Sequence, residues 1–242
     1  MKLTQRITKI LVILWAVRNA GQEKAMIQGV LFDMDGVIVD TLHYHYLAWQ
    51  HTFEKHGGSI SKQTILLHEG RKSEELLPIL IQESGVLIPE DRRDQFIEEK
   101  RIRYREIVRI SHFPNSLDVV RTLRQRGFKV ALVTASALKN MEHALNPDQR
   151  DHFDFILTGD EIERAKPHPG PYLTAARRLG LKPEECIVIE NAPLGIEAAK
   201  AAGMQCVAIE STLERDYLSS ADFIHKTIDE LLDNPIFSRH VS

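Results

Sequence analysis

Two aspartates two residues apart, Asp33 and Asp35, follow the unbroken apolar run Val30–Leu31–Phe32 and are closed off by Gly36. In extended backbone such residues point to the same side, roughly 6.6 Å apart along the chain. A buried strand that ends in two near-aligned carboxylates carries charge that must be compensated. A divalent cation or a transferring phosphoryl group would do so. Asp-x-Asp-Gly is also good turn sequence, so the reading depends on what the rest of the chain brings to the same place.

Three later stretches bring matching chemistry. The apolar run FKVALV ends at Thr134, followed by Ala135 and Ser136. DFIL ends at Thr158-Gly159-Asp160 and leads to Lys166 in AKPHP; CIVI ends at Glu190-Asn191. A hydroxyl with backbone N–H groups can hold phosphate oxygens, a lysine can neutralise them, and oxygen donors can hold a hard cation. Alone, Thr134 reads as a strand-end cap, Lys166 as a solvated loop lysine and Glu190-Asn191 as the cap of the next helix. Their recurrence at successive strand ends favours one phosphate-and-magnesium site.

The elements that must position these residues alternate. From Ser111 onward, apolar β-branched runs take turns with amphipathic stretches such as SLDVVRTLRQRG, PYLTAARRLG and PLGIEAAKAAG. ADFIH reads as an edge strand and TIDELL as a final helix. This grammar predicts an α/β, doubly wound parallel sheet, in which ligands bind beyond the carboxyl ends of the strands. Between Leu42 and Ile110 the apolar residues keep helical spacing and no strand signal appears. Residues 42–110 are therefore expected to form a small α-helical cap inserted between residues 26–41 and 111–242 of the core. Pro78 predicts a late start or a kink in its helix. The densely charged stretch from about Glu90 to Ile110 predicts a mostly exposed helix.

Composition bounds the function. The formal net charge is −3, with no basic stripe for nucleic acid. Cys186 and Cys206 each open an apolar run and read as core residues of a reducing, cytoplasmic compartment. Lys2, Arg6 and Lys9 precede the apolar run Ile10 to Val17, which is too short to span a membrane. Residues 1–25 read as an N-terminal extension, with Met26 a plausible start.

With these residues in place the chain resembles the haloacid dehalogenase superfamily of phosphotransferases, through FDMDGVIVDT, VTAS, KPHP and IENAPLGIEAA in family order. DTLHYHYLAW is similar to the β-phosphoglucomutase-like subgroup, which has a helical cap. The resemblance implies Asp33 as nucleophile, forming an aspartyl-phosphate, and Asp35 as general acid then base. It implies Mg2+ held by Asp33, the Asp35 carbonyl, and Glu190 or Asn191. It implies that Thr134 and the Ala135 N–H, with Ser136, hold the phosphoryl group while Lys166 balances its charge. Many relatives carry Asp where this chain has Asn191, and an amide brings no charge to the metal. His45, Arg71, Lys72 and Lys139 are the candidate substrate contacts.

Whether water or a sugar hydroxyl accepts the phosphoryl group separates a phosphatase from a mutase. The mutase pattern places a cap arginine where this chain has Ser73, with Arg71 and Lys72 just before it. Lys139-Asn140 is one residue further from VTAS than in that pattern. The sequence therefore favours a phosphatase of a small phosphorylated sugar or polyol. β-Phosphoglucomutase is the close alternative and a silent phosphate-binding protein the third.

Overall fold

A computed structural model describes residues 26–238; the expectations placed on residues 1–25 lie outside them. The strands are β1 (Gly29–Phe32), β2 (Lys129–Val133), β3 (Phe155–Leu157), β4 (Cys186–Glu190), β5 (Gln205–Ile209) and β6 (Phe223–His225). They form one parallel sheet in the order β3-β2-β1-β4-β5-β6. The order reverses between β1 and β4, where a doubly wound sheet opens its ligand crevice.

Alternation along each strand builds two cores. Val30 and Phe32, Val130 and Leu132, and Ile187 and Ile189 enter one apolar cluster. Leu31, Ala131 and Val133, and Cys186 and Val188 enter the other. Successive side chains of a strand point to opposite faces, so a run with no polar break must be covered on both sides. Val30, Leu31 and Phe32 are completely buried, each worth about 1.5–3 kcal/mol. Cys186 and Cys206 are free thiols inside the second cluster.

Between β1 and β2 lies a helical insert: α1 (Leu42–Lys55), α2 (Lys62–Leu67), α3 (Ser73–Ser84) and α4 (Arg93–Ile107). Trp49, Phe53, Leu77, Leu80, Phe96 and Ile97 give it a cluster of its own. Helix α3 runs through Pro78 rather than starting after it, beginning at Ser73. The proline forgoes the bond to the Glu74 carbonyl, and buried Leu76, Leu77 and Leu80 supply packing that outweighs it. The two segments joining insert and core pair with each other. Val39 bridges His112 antiparallel, Asp40 N–H donates to Ser111 O at 2.8 Å, and Phe113 N–H to Ile38 O at 3.0 Å.

The remaining helices are α5 (Ser116–Gln125), α6 (Leu138–Ala144), α7 (Pro147–Arg150), α8 (Gly170–Leu179) and α9 (Pro193–Ala201). The expected final helix at TIDELL is a 3-10 segment, Ile228–Asp233. Among the described residues no helix is long and apolar enough to cross a membrane.

Candidate active site

Asp33 stands one residue past β1 and is tied to β4 by its N–H, which donates to Ile189 O at 3.0 Å. The chain then turns back on itself. Val39 N–H donates to Met34 O at 3.0 Å and Gly36 N–H to Val39 O at 2.8 Å. Gly36 has φ +93°, and a Cβ there would lie 2.2 Å from the Asn191 amide nitrogen. Glycine meets both demands. Asp33 and Asp35 are both buried, at 3% and 7% exposure, so the turn delivers two carboxyls into a buried site.

The two have different company. Lys166 Nζ donates to Asp33 Oδ1 and, at 2.7 Å, to Glu190 Oε1. Asp33 Oδ2 is buried without a partner. Burial pushes the Asp33 carboxyl up, Lys166 opposes this, and Glu190 and Asp35 add to the rise. Burial also pushes Asp35 up. The His45 imidazole and the hydroxyls of Thr41 and Ser136 outweigh it and hold Asp35 below the ordinary range. Ser136 Oγ donates to Asp35 Oδ2 at 2.8 Å and Thr41 Oγ1 to Oδ1. Thr134 Oγ1 accepts the Ser136 N–H at 3.0 Å, so the VTAS turn is preformed. Gly159 lets the next loop approach it, since a Cβ there would be 2.2 Å from Ala135 O.

Glu190 is held on all sides. Its Oε1 accepts from Lys166 and, at 2.7 Å, from Tyr172 Oη. Its Oε2 accepts the N–H of Asn191 at 2.9 Å and of Ala192 at 3.2 Å. Gly195 in α9 leaves room for it, because a Cβ there would lie 1.7 Å from Oε1. Lys166 is 1% exposed. Burial alone would lower its pKa, but Asp33 and Glu190 prevail and raise it. Both oxygens of Glu190 are thus committed to protein donors. In the Glu190-Asn191 pair the unpaired oxygen is Asn191 Oδ1, buried and without a donor.

The insert contributes groups that the sequence did not single out. Glu69, between α2 and α3, accepts the Asn191 Nδ2–H at 2.7 Å. Burial raises its carboxyl well above the ordinary range, and Asp33 and Glu190 push the same way. Lys100 of α4 is 5% exposed and stands 3.0 Å from His45 Nδ1. His45 Nε2 faces Asp35 Oδ1 at 3.8 Å, an ionic distance beyond hydrogen-bond reach. Burial and the neighbouring Arg101 push Lys100 down to about 7. Burial, then Lys100, lowers His45. Lys100 had a legible signal: it follows Phe96 by four residues and precedes Tyr104 by four, on the buried stripe of a helix read as exposed.

A cleft of about 610 Å3 separates insert and sheet edge. Asp33, Asp35, His45, Arg71, Lys72 and Lys100 line it. Thr134, Ala135 and Ser136 share it. Lys139 does not; it is exposed, and Asn140 lines the cleft instead. Neighbouring helix residues point about 100° apart, and here that turns Asn140 to the cleft and Lys139 to solvent. Lys72 Nζ is spent on the Ile162 carbonyl.

Among the described residues no three His, Cys, Asp or Glu side chains form a metal cage. The residues nevertheless fit a divalent cation. Asp33 Oδ2 and Asn191 Oδ1 are buried oxygens lacking donors. Glu190 and Asp35 push up both Asp33 and Glu69, and Asp33 pushes up Glu69, with Lys166 opposing. A hard cation on an oxygen-only donor set would relieve that repulsion.

The chain is 32% identical over 184 residues to fructose-1-phosphate phosphatase YqaB of Escherichia coli, covering 75% of this chain and 95% of that protein. It is 26% identical over 204 residues to hexitol phosphatase A of the same organism, covering 84% and 93%. The fold is similar to that of a β-phosphoglucomutase from Clostridium difficile, with TM-score 0.75, 30% identity, and coverage of 85% and 93%. The haloacid dehalogenase-like hydrolase family matches residues 30–209, a span that holds Asp33, Asp35, the VTAS turn, Lys166 and Glu190-Asn191, and the chain is an enzyme belonging to that family.

Proposed function

We propose that this enzyme is a magnesium-dependent phosphatase of small, singly phosphorylated sugars or polyols, working through an aspartyl-phosphate on Asp33. The observation that carries the reading is the contrast between the two buried carboxyls. Asp33 keeps Oδ2 unpaired beside Lys166, while Asp35 is held from the other side by Thr41 and Ser136. One carboxyl is thus placed to attack and the other to move protons.

In the first half-reaction an Asp33 oxygen attacks phosphorus and the bond to the leaving oxygen breaks. Asp35 gives that oxygen a proton; the substrate phosphate arriving beside it raises its proton affinity, as any like charge does. In the second half-reaction Asp35 takes a proton from the water that attacks the aspartyl-phosphate. The hydroxyl donors around it favour the ionised form needed there. The Ala135 N–H, the Thr134 hydroxyl and Lys166 take up charge on the phosphoryl oxygens. Asp33 Oδ2, Asn191 Oδ1 and the Asp35 carbonyl would hold the cation, which when bound supplies further charge neutralisation; Asp33 Oδ1 is then the attacking oxygen, released as Lys166 turns to the phosphoryl oxygens.

The insert acts as a cap, and its charges favour one phosphate over two. Arg71 lies 3.9 Å from Glu75, Arg101 bonds Glu74 at 2.7 Å, and Lys72 is bound to a core carbonyl. A second phosphate would have to draw Arg101 and Lys72 out of these bonds, whereas Arg71 Nε is buried without a partner. The relatives that act on fructose 1-phosphate and, by name, hexitol phosphates support the same substrate class. The mutase reading is supported by the likeness to the β-phosphoglucomutase structure, by the unpaired Arg71 Nε at the cleft and by the Lys100–His45 line to Asp35, which would serve a sugar hydroxyl as acceptor equally well.

The test is a magnesium-dependent assay on β-glucose 1-phosphate, fructose 1-phosphate and a hexitol phosphate, following free phosphate and isomerised sugar phosphate together. A trace of glucose 1,6-bisphosphate is added to the glucose reaction. Free phosphate, lost on chelation, is expected. Isomer without free phosphate would establish the mutase, and activity undiminished by chelation would remove the cation from the reading.

A further inference from the structure

The loop between α2 and α3 rests on the catalytic edge of the sheet at two adjacent residues. Glu69 accepts from Asn191 Nδ2 at 2.7 Å. Gly70 packs so closely on Lys166 that a Cβ would lie 2.9 Å from Cδ. Asn191 Nδ2 has a second acceptor, Thr212 Oγ1, at 3.0 Å. With both amide hydrogens taken by acceptors, the nitrogen end of Asn191 is fixed. Its oxygen end, buried and without a donor, is left for a cation. An amide has two chemically different ends, and a carboxylate can only accept. Aspartate at this position would need no such sorting, because both of its ends are oxygens.

We propose that Glu69 is a positioning residue for the cation site: it holds Asn191 with Oδ1 toward the cation and so makes cation affinity depend on the helical insert being seated on the core. The inference rests on the reading of Asp33 and Asn191 as cation ligands. Its consequence is reciprocal. If seating the insert favours the cation, the cation must favour the seated insert by the same factor. The helical insert would then close on a loaded site in preference to an empty one. Where the family resemblance implies an aspartate in many relatives this chain has Asn191, and Glu69 supplies order there.

Mn2+ alone serves as the probe, its affinity measured by electron paramagnetic resonance and the seating of residues 66–72 by amide hydrogen exchange. Glu69→Ala is expected to weaken Mn2+ binding at least about tenfold, the range for a residue that orients a metal ligand. Mn2+ should slow exchange at residues 66–72 in the wild type and not in this variant. Glu69→Gln can still accept from Asn191 and is expected to stay within about threefold of wild type. Asn191→Asp sets two carboxylates against each other and should speed exchange at 66–72 in cation-free protein, and Asn191→Asp with Glu69→Gln should restore it. Unchanged Mn2+ affinity in Glu69→Ala would overturn the inference and leave the cation reading standing. Equal losses in the Ala and Gln variants would overturn it too, by making charge rather than orientation the contribution. A wild-type protein that binds no Mn2+ would overturn both.

Discussion

Lys100 approaches His45 Nδ1 to 3.0 Å, and the other nitrogen of the same imidazole faces Asp35 across 3.8 Å. A lysine from the last helix of the insert is thereby connected through one ring to the core carboxyl of Asp35, the proposed general acid and base. Tyr104 stacks on that ring with centroids 4.1 Å apart, which fixes its plane.

This arrangement has a pH signature. Lys100 titrates at about 7 in the folded protein against 10.5 ordinarily. Between those values the unfolded chain holds a proton that the folded chain lacks, so stability rises with pH across the window. Below about 7 both states are protonated and the full cost of burying the charge is felt. Lys100→Met should flatten this trend. Urea titrations at pH 7 and pH 9.5 should show wild type gaining on the variant by a few kcal/mol, and parallel trends would contradict the assignment.

Replacing Lys166 tests the other buried ion cluster. Lys166→Met leaves Asp33 and Glu190 facing each other without their shared cation. Removing one partner of a buried pair typically costs about 3–5 kcal/mol. Chemical denaturation should show a loss of that size, accompanied by loss of phosphate release.

Asp33→Asn separates chemistry from folding. It removes the proposed nucleophile and also a buried charge that desolvation, then Glu190 and Asp35, disfavour. Phosphate release should fall by at least about a thousandfold while the melting temperature stays level or rises. Retained turnover would show that another group attacks.

Gly195→Ala probes a residue that never touches substrate. Its new Cβ would overlap Glu190 Oε1, so Glu190 must move and release Lys166 and Tyr172. The expected cost is about 1–3 kcal/mol, with a lower rate of phosphate release. A crystal structure of the variant with Glu190 unmoved would refute the argument.

The sequence by itself determined the sheet and the residues at its edge. Unbroken apolar runs demand burial on both faces, and turn residues end them, so Asp33, Thr134 and Glu190 had to emerge where the strands stop. It also determined that residues 42–110 are helical, since their apolar residues keep helical spacing. The tertiary structure alone decided which charges meet. Glu69 lies in a short loop whose periodicity says nothing of direction, and only seating the insert brings it to Asn191. Tyr172 reads as one more core aromatic until α8 packs against β1, β2 and β3 and the Tyr172 hydroxyl reaches Glu190. Lys100 was legible only as a position on the buried stripe of α4, and its partner His45 appears only when α1 packs against α4; Lys139, equally charged, is exposed. Secondary structure follows from local spacing along the chain, whereas the partner of a buried charge depends on how distant elements pack.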